Sequence, residues 1–189
     1  YHLGSAYGLT DNNQKQGGLF AIVNTKLTDK INFTAGTRGA AQSTRLTTDI
    51  HASTLNRALA TTLGIAYQYT KSISIYLRRA GSFRFPKAEE NSANGEPLRT
   101  QRGISYEAGM RYELADKIIH LGLYQLNLRD EISFDPFQTP QNPFGSNQNL
   151  APTTRTGASL SFSKDLTRKL RADAQVNYVH ARFQSGMYQ

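Results

Sequence analysis

Apolar and polar residues alternate along residues 155–178, on both sides of a short polar segment. Before this segment Ala158, Leu160 and Phe162 are separated by serines, and after it every second residue from 170 to 178 is apolar. A period of two on both arms of a tight turn predicts a β-hairpin with one apolar and one polar face. The pattern leaves open what the apolar face contacts. It could pack on a protein core, as in a soluble sandwich, or meet lipid, as in an outer-membrane barrel.

The same hairpin recurs along the chain. Tight polar turns separate β-rich segments at residues 27–30, 69–72, 114–117 and 166–169. Together with an alternating segment at residues 1–7, these segments predict nine strands. The predicted strands at 31–41 and 118–134 are longer than the ~5–6 residues usual in globular sheets. The sequence therefore predicts an antiparallel all-β chain with long strands.

The remaining connections are long, at residues 42–59, 86–103 and 135–153. The last two are rich in Asn, Pro, Gln and Gly, which predicts loops. Every short turn thus lies at one end of the predicted strands and every long loop at the other. A soluble sandwich has no reason to sort its connections in this way, whereas outer-membrane barrels have short periplasmic turns and longer extracellular loops.

One predicted strand changes phase. Ile119, Leu121 and Leu123 are apolar at odd positions, whereas Leu126 and Leu128 are apolar at even positions. Two explanations remain open, a β-bulge near Leu123 or a strand that leaves the membrane at that point.

Composition removes several classes of function. The chain has a formal net charge of +8, but its basic residues form no run, so a nucleic-acid partner is not expected. It has no Cys, which excludes disulfides, thiolate catalysis and Cys-type zinc sites. No apolar run is long enough for a transmembrane helix, although a barrel strand needs only ~10 alternating residues. Strand-like segments at both ends suggest a piece of a longer barrel.

Residues with the spacing of a catalytic or metal site are missing. The chain has no nucleophile elbow and no phosphate-binding glycine loop. Its histidines are not spaced as metal ligands and lie at His2, His51, His120 and His180. We therefore expect no enzyme activity, no resident metal and no cofactor.

Three stretches resemble the barrel domain of TonB-dependent outer-membrane receptors. The segment 82–86 (SFRFP) resembles the strand-ending Phe-Arg-x-Pro box of that family. Leu98 followed by 105–109 (SYEAG) is similar to its Tyr-Glu-x-Gly strand, although Arg99-Thr100 replaces the usual Pro-Glu. The third stretch runs from Asn149 to Phe183 and carries the family's residues at Arg155, Gly157, Tyr178 and Ala181.

The resemblance implies a 22-stranded barrel in the bacterial outer membrane, closed around an N-terminal plug domain. Residues 1–189 would then be about nine strands of one barrel domain, with the plug and the first and last strands outside the chain. The implied function is active import of a scarce ligand, such as a ferric siderophore or other metal chelate, powered by the TonB complex through the N-terminal part. Residues 87–103 contain no His, which counts against haem. Outer-membrane lipid and lipopolysaccharide are further expected partners.

The resemblance also places candidate ligand contacts at the outer mouth, under the long loops. Four arginines are expected to converge there, because guanidinium groups suit carboxylate, catecholate or phosphate oxygens. These are Arg84, Arg99, Arg102 and Arg129. Phe137 and Phe144 are expected to pack on the apolar body of a ligand. An arginine at this rim could instead pair with a lipopolysaccharide phosphate or a loop carboxylate.

A second set of charged residues is expected to line the barrel lumen. Unpaired charges of this kind would be costly in a dry protein core, but a lumen offers water or the charges of a plug. We expect these residues to dock the plug. They are Arg38, Arg78, Glu107, Arg111, Glu113, Arg171 and Asp173.

Other classes of protein remain as alternatives. A passive barrel such as a porin, an adhesin or an autotransporter pore would share the strand pattern but not the receptor-like boxes. A soluble carbohydrate-binding β-sandwich would have shorter strands and unsorted loops. An enzyme would need a catalytic constellation that the sequence does not contain.

Overall fold

The structure is a computed structural model that describes residues 11–47, 51–88, 90, 97–137 and 145–184. Ten strands form in this part of the chain. They are β1 (Asp11–Thr28), β2 (Ile31–Thr47), β3 (His51–Gln68), β4 (Ile73–Arg84), β5 (Gln101–Leu114), β6 (Lys117–Arg129), β7 (Ile132–Asp135), β8 (Ser146–Asn149), β9 (Thr153–Thr167) and β10 (Leu170–Phe183). Among the residues described, no helix is long and apolar enough to cross a membrane. The predicted strand at 1–7 lies outside the described residues.

Eight strands form one antiparallel sheet in the order β1-β2-β3-β4-β5-β6-β9-β10. Neighbours in the sheet are therefore also neighbours in the chain, except where β7 and β8 form a separate small ladder between β6 and β9. This arrangement confirms the predicted antiparallel all-β class. We refer to the edge of the sheet with the short turns as the turn end, and to the opposite edge as the loop end.

The short turns form where the sequence predicts them, and a threonine explains three of them. The Thr28 hydroxyl accepts hydrogen bonds from the backbone N–H of Lys30 at 3.2 Å and of Ile31 at 3.1 Å. The Thr70 hydroxyl accepts hydrogen bonds from the backbone N–H of Ser72 at 3.2 Å and of Ile73 at 3.1 Å. The Thr167 hydroxyl accepts one from the backbone N–H of Lys169 at 3.2 Å. A hydroxyl that bonds to the backbone two or three residues ahead stabilises a tight turn.

The large sheet has an apolar face and a polar face, which the strand register assigns. Residues paired across an antiparallel ladder project from the same side of the sheet, and consecutive residues alternate. One row of the apolar face runs through Thr25, Phe33, Ile65, Leu77, Ala108, Leu123, Ala158 and Tyr178. The row beside it on the polar face runs through Asn24, Thr34, Gly64, Arg78, Glu107, Tyr124, Gly157 and Val179.

No layer of the described protein covers the apolar face. Leu77 is 61% exposed and Leu123 is 54% exposed, although both lie in the middle of the sheet. In β5 the apolar stretch from Tyr106 to Leu114 spans about 27 Å at the usual rise per residue, close to the ~25 Å apolar band of outer-membrane barrels. A soluble sandwich would bury these side chains against a second sheet. The geometry therefore favours lipid as the neighbour of this face.

The few buried apolar residues lie at the loop end. Phe85, Leu98 and Leu128 are each less than a tenth exposed. The side-chain amide of Gln42, also buried, donates to the carbonyl of Pro86 at 2.7 Å and fixes the chain after β4 over β2. The compact part of the described chain is thus a small cluster where the long connections fold back on the sheet.

The predicted loop at 42–59 is wrong for most of its length. β2 and β3 pair without interruption from Ile31↔Tyr67 to Thr47↔His51, and residues 48–50 lie outside the description. The residues beyond Ala41 are largely polar on both faces, so the alternation that marks the rest of the strand is missing. Backbone hydrogen bonds of the ladder need no such alternation.

Of the two explanations left open for the phase change near Leu123, the structure excludes the β-bulge. The register of β6 with β5 is continuous from Leu114↔Lys117 to Arg102↔Arg129. Leu121 and Leu123 project from the apolar face, whereas Leu126 and Leu128 project from the polar face, where Leu128 joins the buried cluster.

The predicted strand 118–134 is divided into β6 and β7 by two residues, Asp130 and Glu131. It breaks at Asp130, whose φ of 54° lies in the left-handed region and interrupts the strand conformation. The short strand β7 follows, and its partner β8 lies within the predicted loop 135–153.

Candidate functional site

The structure places all seven charged residues of the predicted lumen set on the polar face. Several are paired by ion pairs along or between strands. Arg78 lies 3.8 Å from Glu107 on the neighbouring strand, and Arg111 lies 2.9 Å from Glu113. The third pair joins the guanidinium of Arg171 to the carboxylate of Asp173 at 3.3 Å. Their role in docking a plug stays a prediction.

Arg38 differs from the others because no described carboxylate pairs with it. Its guanidinium carbon lies 5.1 Å from the ring centroid of Phe83, in a cation–π contact. It borders a recess of 330 Å³ on the polar face, which is lined by Phe20, Ile22, Gly36, Arg38, Thr62 and Phe83, among others. The β3–β4 ladder ends at Thr62↔Ala80, and beyond it the Phe83 ring reaches Arg38 although its register partner, Arg102, is assigned to the apolar face. An unpaired guanidinium beside aromatic walls is suited to bind a planar anionic group.

On the polar face, tyrosine rings occupy the space where side chains of glycines in the neighbouring strand would lie. The sequence analysis did not predict this feature. The Tyr76 ring lies over Gly109, and the Tyr124 ring lies over Gly157, where a Cβ would come within 2.5 Å of the ring. Tyr76 also stacks on His120, with ring centroids 5.8 Å apart. Gly109 and Gly157 lie inside strands, and a glycine at such a position often indicates that another group approaches the backbone closely.

At the loop end, loop side chains already engage two of the predicted ligand arginines. Arg99 Nε lies 2.8 Å from a carboxylate oxygen of Asp130. The backbone N–H of Arg99 donates to Asn149 Oδ1 at 2.8 Å. The side-chain amide of Asn149 donates to the backbone carbonyls of Arg99 at 3.0 Å and of Asp130 at 2.8 Å. Arg84 forms a two-pronged ion pair with Glu90.

The structure does not bring Arg102 and Arg129 together with these two residues. Arg102 and Arg129 are directly paired in the β5–β6 ladder and project from the apolar face. The buried pair Gly103↔Leu128 beside them projects from the polar face. The alternation of each strand thus directs Arg102 and Arg129 away from the polar face. The contact of the four arginines with a ligand stays a prediction.

The predicted aromatic contacts are only partly described. Phe137 is 74% exposed, and its N–H donates to Asp135 Oδ1 at 3.0 Å. Phe144 lies outside the described residues. Among the described His, Asp and Glu residues, no group of three could hold a metal ion.

Comparison with known proteins identifies the family. Residues 3–188 match the family model described as TonB dependent receptor-like, beta-barrel. The chain belongs to this family. It is 27% identical over 192 residues to the metal-pseudopaline receptor CntO of Pseudomonas aeruginosa, a match that covers 93% of this chain and 26% of the relative. The chain therefore spans about a quarter of the length of the curated relatives it matches.

Solved structures of the family share the fold at low sequence identity. The copper transporter OprC superposes with a TM-score of 0.78 at 15% identity, covering 91% of this chain and 29% of OprC. The alcaligin outer-membrane receptor FauA of Bordetella pertussis superposes with a TM-score of 0.72 at 16% identity, covering 94% of this chain and 32% of FauA. The ferric-catecholate import receptor Fiu of E. coli K12 superposes with a TM-score of 0.75 at 14% identity, covering 94% of this chain and 29% of Fiu.

Membership in the family assigns the two faces. The relatives are outer-membrane transport receptors and not enzymes. The chain is accordingly a segment of an outer-membrane β-barrel wall, with the apolar face toward lipid and the polar face toward the lumen. The Arg38 recess lies on the lumen side, and the Arg102–Arg129 pair lies on the lipid side.

Proposed function

We propose that the intact protein imports a metal chelate, such as a ferric siderophore, across the outer membrane with energy from the TonB complex. The family and the functions of its relatives support this proposal, since the relatives include a metal-pseudopaline receptor and a ferric-catecholate import receptor. In this proposal residues 1–189 form part of one barrel domain. The plug and the remaining strands belong to segments outside this chain, and the barrel wall contacts outer-membrane lipid and lipopolysaccharide.

The observation that carries the choice of ligand is the unpaired Arg38 in its recess. Metal chelates commonly present carboxylate or catecholate oxygens on a planar body. A guanidinium fork can bind such oxygens, and Phe83 and Phe20 supply apolar walls for the planar body. The other six charged residues of the predicted lumen set form three ion pairs and suit contact with a plug.

The test measures uptake by cells that express the intact protein against cells that lack it. The probes are radiolabelled ferric catecholate, ferric hydroxycarboxylate and copper aminocarboxylate chelates. We expect saturable uptake of at least one probe, and we expect a protonophore to abolish it. A passive pore would instead give uptake that does not saturate and that persists with the protonophore, which would contradict the proposal.

The Arg38→Gln variant tests the recess itself. A charge-assisted hydrogen bond contributes about 1.5–3 kcal/mol, so the concentration for half-maximal uptake should rise about tenfold or more. Lys30→Gln removes the same charge at an exposed turn and should leave uptake unchanged. Equal uptake by Arg38→Gln and Lys30→Gln would remove the recess from the ligand path while leaving the transport proposal intact.

A further inference from the structure

Two of the family-like stretches meet at the side chain of Asn149. Asn149 begins the third stretch, and Arg99 follows Leu98 in the second. The backbone N–H of Arg99 donates to Asn149 Oδ1 at 2.8 Å, and the side-chain amide of Asn149 donates to the backbone carbonyl of Arg99 at 3.0 Å. One side chain therefore satisfies both backbone hydrogen-bonding groups of Arg99, as a paired strand would.

The same side chain also holds Asp130, the residue directly after β6. Asn149 Nδ2 donates to the backbone carbonyl of Asp130 at 2.8 Å. Asp130 has a φ of 54°, a conformation in which Asn and Asp are enriched among the residues other than glycine. Its carboxylate lies 2.8 Å from Arg99 Nε. Arg99, Asp130 and Asn149 thus form a closed set of contacts, which we call the loop clasp.

The loop clasp joins the bases of two long connections. Residues 85–100 connect β4 to β5, and residues 130–152 connect β6 to β9. The last backbone pair between β5 and β6 is Arg102↔Arg129, so the clasp lies just beyond the end of this ladder. Removing the amide of Asn149 would take away two hydrogen bonds between the connections and one within the second.

A second group of contacts fixes the β7–β8 ladder at the same place. Arg155 Nη2 lies 2.5 Å from Glu131 Oε1, and the Thr153 hydroxyl donates to Glu131 Oε2 at 3.3 Å. The backbone N–H of Leu150 donates to the backbone carbonyl of Glu131 at 2.7 Å. The β7–β8 ladder, which leads to the exposed Phe137, is therefore attached to the large sheet at its base.

We propose that Asn149 is a positioning residue for ligand uptake, which holds the bases of the β4–β5 and β6–β9 connections together as one rigid unit. Arg99 and Phe137, two predicted ligand contacts, lie on different connections and keep a fixed relative position while the clasp is intact. A ligand that meets preordered contacts does not have to order them on binding, so its affinity is higher. The effect on uptake rests on the proposed function, whereas the joining of the two connections does not.

The first experiment measures the distance distribution between two spin labels, one on each connection, by pulsed electron paramagnetic resonance of the intact receptor in detergent. The labels are attached at Pro97→Cys and Pro136→Cys, which are exposed positions, and residues 1–189 contain no native Cys. Asn149→Leu removes the three hydrogen bonds with little change in size. Asn147→Leu is the matched control, because Asn147 lies two residues away in β8 and its side chain makes no hydrogen bond with the described residues.

We expect a narrow distribution in the wild-type background and in Asn147→Leu, and a distribution roughly twofold wider in Asn149→Leu. Equal widths in the two variants would overturn the proposal, because the connections would then be held together without the clasp. A wide distribution already present in the wild-type background would overturn it as well. None of these outcomes depends on whether the receptor transports a ligand.

The second experiment separates positioning from assembly of the barrel. Cells that express the unlabelled variants are given whichever of the radiolabelled ferric catecholate, ferric hydroxycarboxylate and copper aminocarboxylate probes the wild type takes up. If about a tenth of the Asn149→Leu receptors hold both connections in place, the concentration for half-maximal uptake rises about tenfold. The maximal rate per folded receptor should stay the same.

An unchanged concentration for half-maximal uptake, whatever the maximal rate, would remove the positioning role from Asn149. If the wild type takes up none of the probes, the proposed function fails, and the spin-label distances alone decide whether the clasp joins the two connections.

Asn149→Asp replaces Asn149→Leu if the leucine variant does not assemble. It keeps the Oδ1 atom that accepts from the backbone N–H of Arg99 but loses both donations to carbonyls. We expect a wider distance distribution than in Asn147→Leu and a rise of about threefold in the concentration for half-maximal uptake. A width equal to that of Asn147→Leu would contradict the proposal.

Discussion

The arginines on the two faces of the sheet show how one residue type serves different purposes. On the polar face and in the loops above it, Arg78 and Arg155 each have a carboxylate partner within the described chain. On the apolar face Arg102 and Arg129 have none and stand against each other. Apart from Arg38, ion pairs within the described chain hold the arginines of the predicted lumen set and its loops, whereas Arg102 and Arg129 on the outer wall are left for the surroundings.

The two faces also differ in how they fill space. On the polar face, tyrosine rings occupy the space beside glycines of the neighbouring strand, as Tyr124 does at Gly157. On the apolar face, adjacent positions carry side chains that project outward and stay exposed, such as Leu160 at 47%. Where rings lie over glycines, the polar face is therefore packed by the protein itself, whereas the apolar face is packed only when lipid surrounds it.

The largest expected effect comes from placing a charge on each face at neighbouring positions. Leu160→Arg should lower the free energy of unfolding by about 2–4 kcal/mol, because an arginine near the middle of the lipid-facing band is strongly disfavoured. Ser161→Arg, one residue away on the polar face, should change it by less than about 0.5 kcal/mol. Urea unfolding of the intact receptor in lipid vesicles, followed by the gel mobility of the folded barrel, measures both. Equal costs would mean that the faces are wrongly assigned.

The next effect tests the packing of rings on glycines. Gly157→Val should destabilise the barrel by about 1–3 kcal/mol, the usual cost of overpacking, because its side chain would occupy the place of the Tyr124 ring. Ala158→Val, on the apolar face, should be close to neutral in the same unfolding measurement.

The contact between Tyr124 and Gly157 can be isolated with a double variant. Tyr124→Ala removes the ring, so its combination with Gly157→Val should cost less than the sum of the two single substitutions. If the destabilisation by the double variant equals the sum of the two single ones, the packing of the Tyr124 ring does not depend on the glycine at position 157.

The sequence predicted the faces well because they follow from local alternation. Alternation in β5, β9 and β10 placed residues such as Arg111 and Asp173 on the polar side. Turn positions were also predictable, since Thr28, Thr70 and Thr167 act on residues two or three positions away. Where polar residues occupied both sides of a strand, as beyond Ala41, alternation gave no signal and a loop was expected in error.

The loop end could not be predicted because its contacts join distant parts of the chain. Arg99 and Asn149 bond to each other across 50 positions in the sequence. Arg84 and Arg102 lie at the ends of neighbouring strands but on different faces. Arg102 lies an even number of residues from Tyr106, which projects from the apolar face, so Arg102 projects from that face as well.

The smallest expected effect sharpens the contrast between paired and unpaired arginines. Glu131→Gln removes the partner of Arg155, whose side chain is 38% exposed, so solvent screening limits the cost to about 1 kcal/mol. Arg129→Gln removes one of two opposed like charges and should stabilise the barrel by a few tenths of a kcal/mol in neutral detergent. The same unfolding measurement in vesicles containing lipopolysaccharide should reverse the sign for Arg129→Gln only. If its sign stays the same in both surroundings, the opposed arginines do not depend on an anion from the membrane.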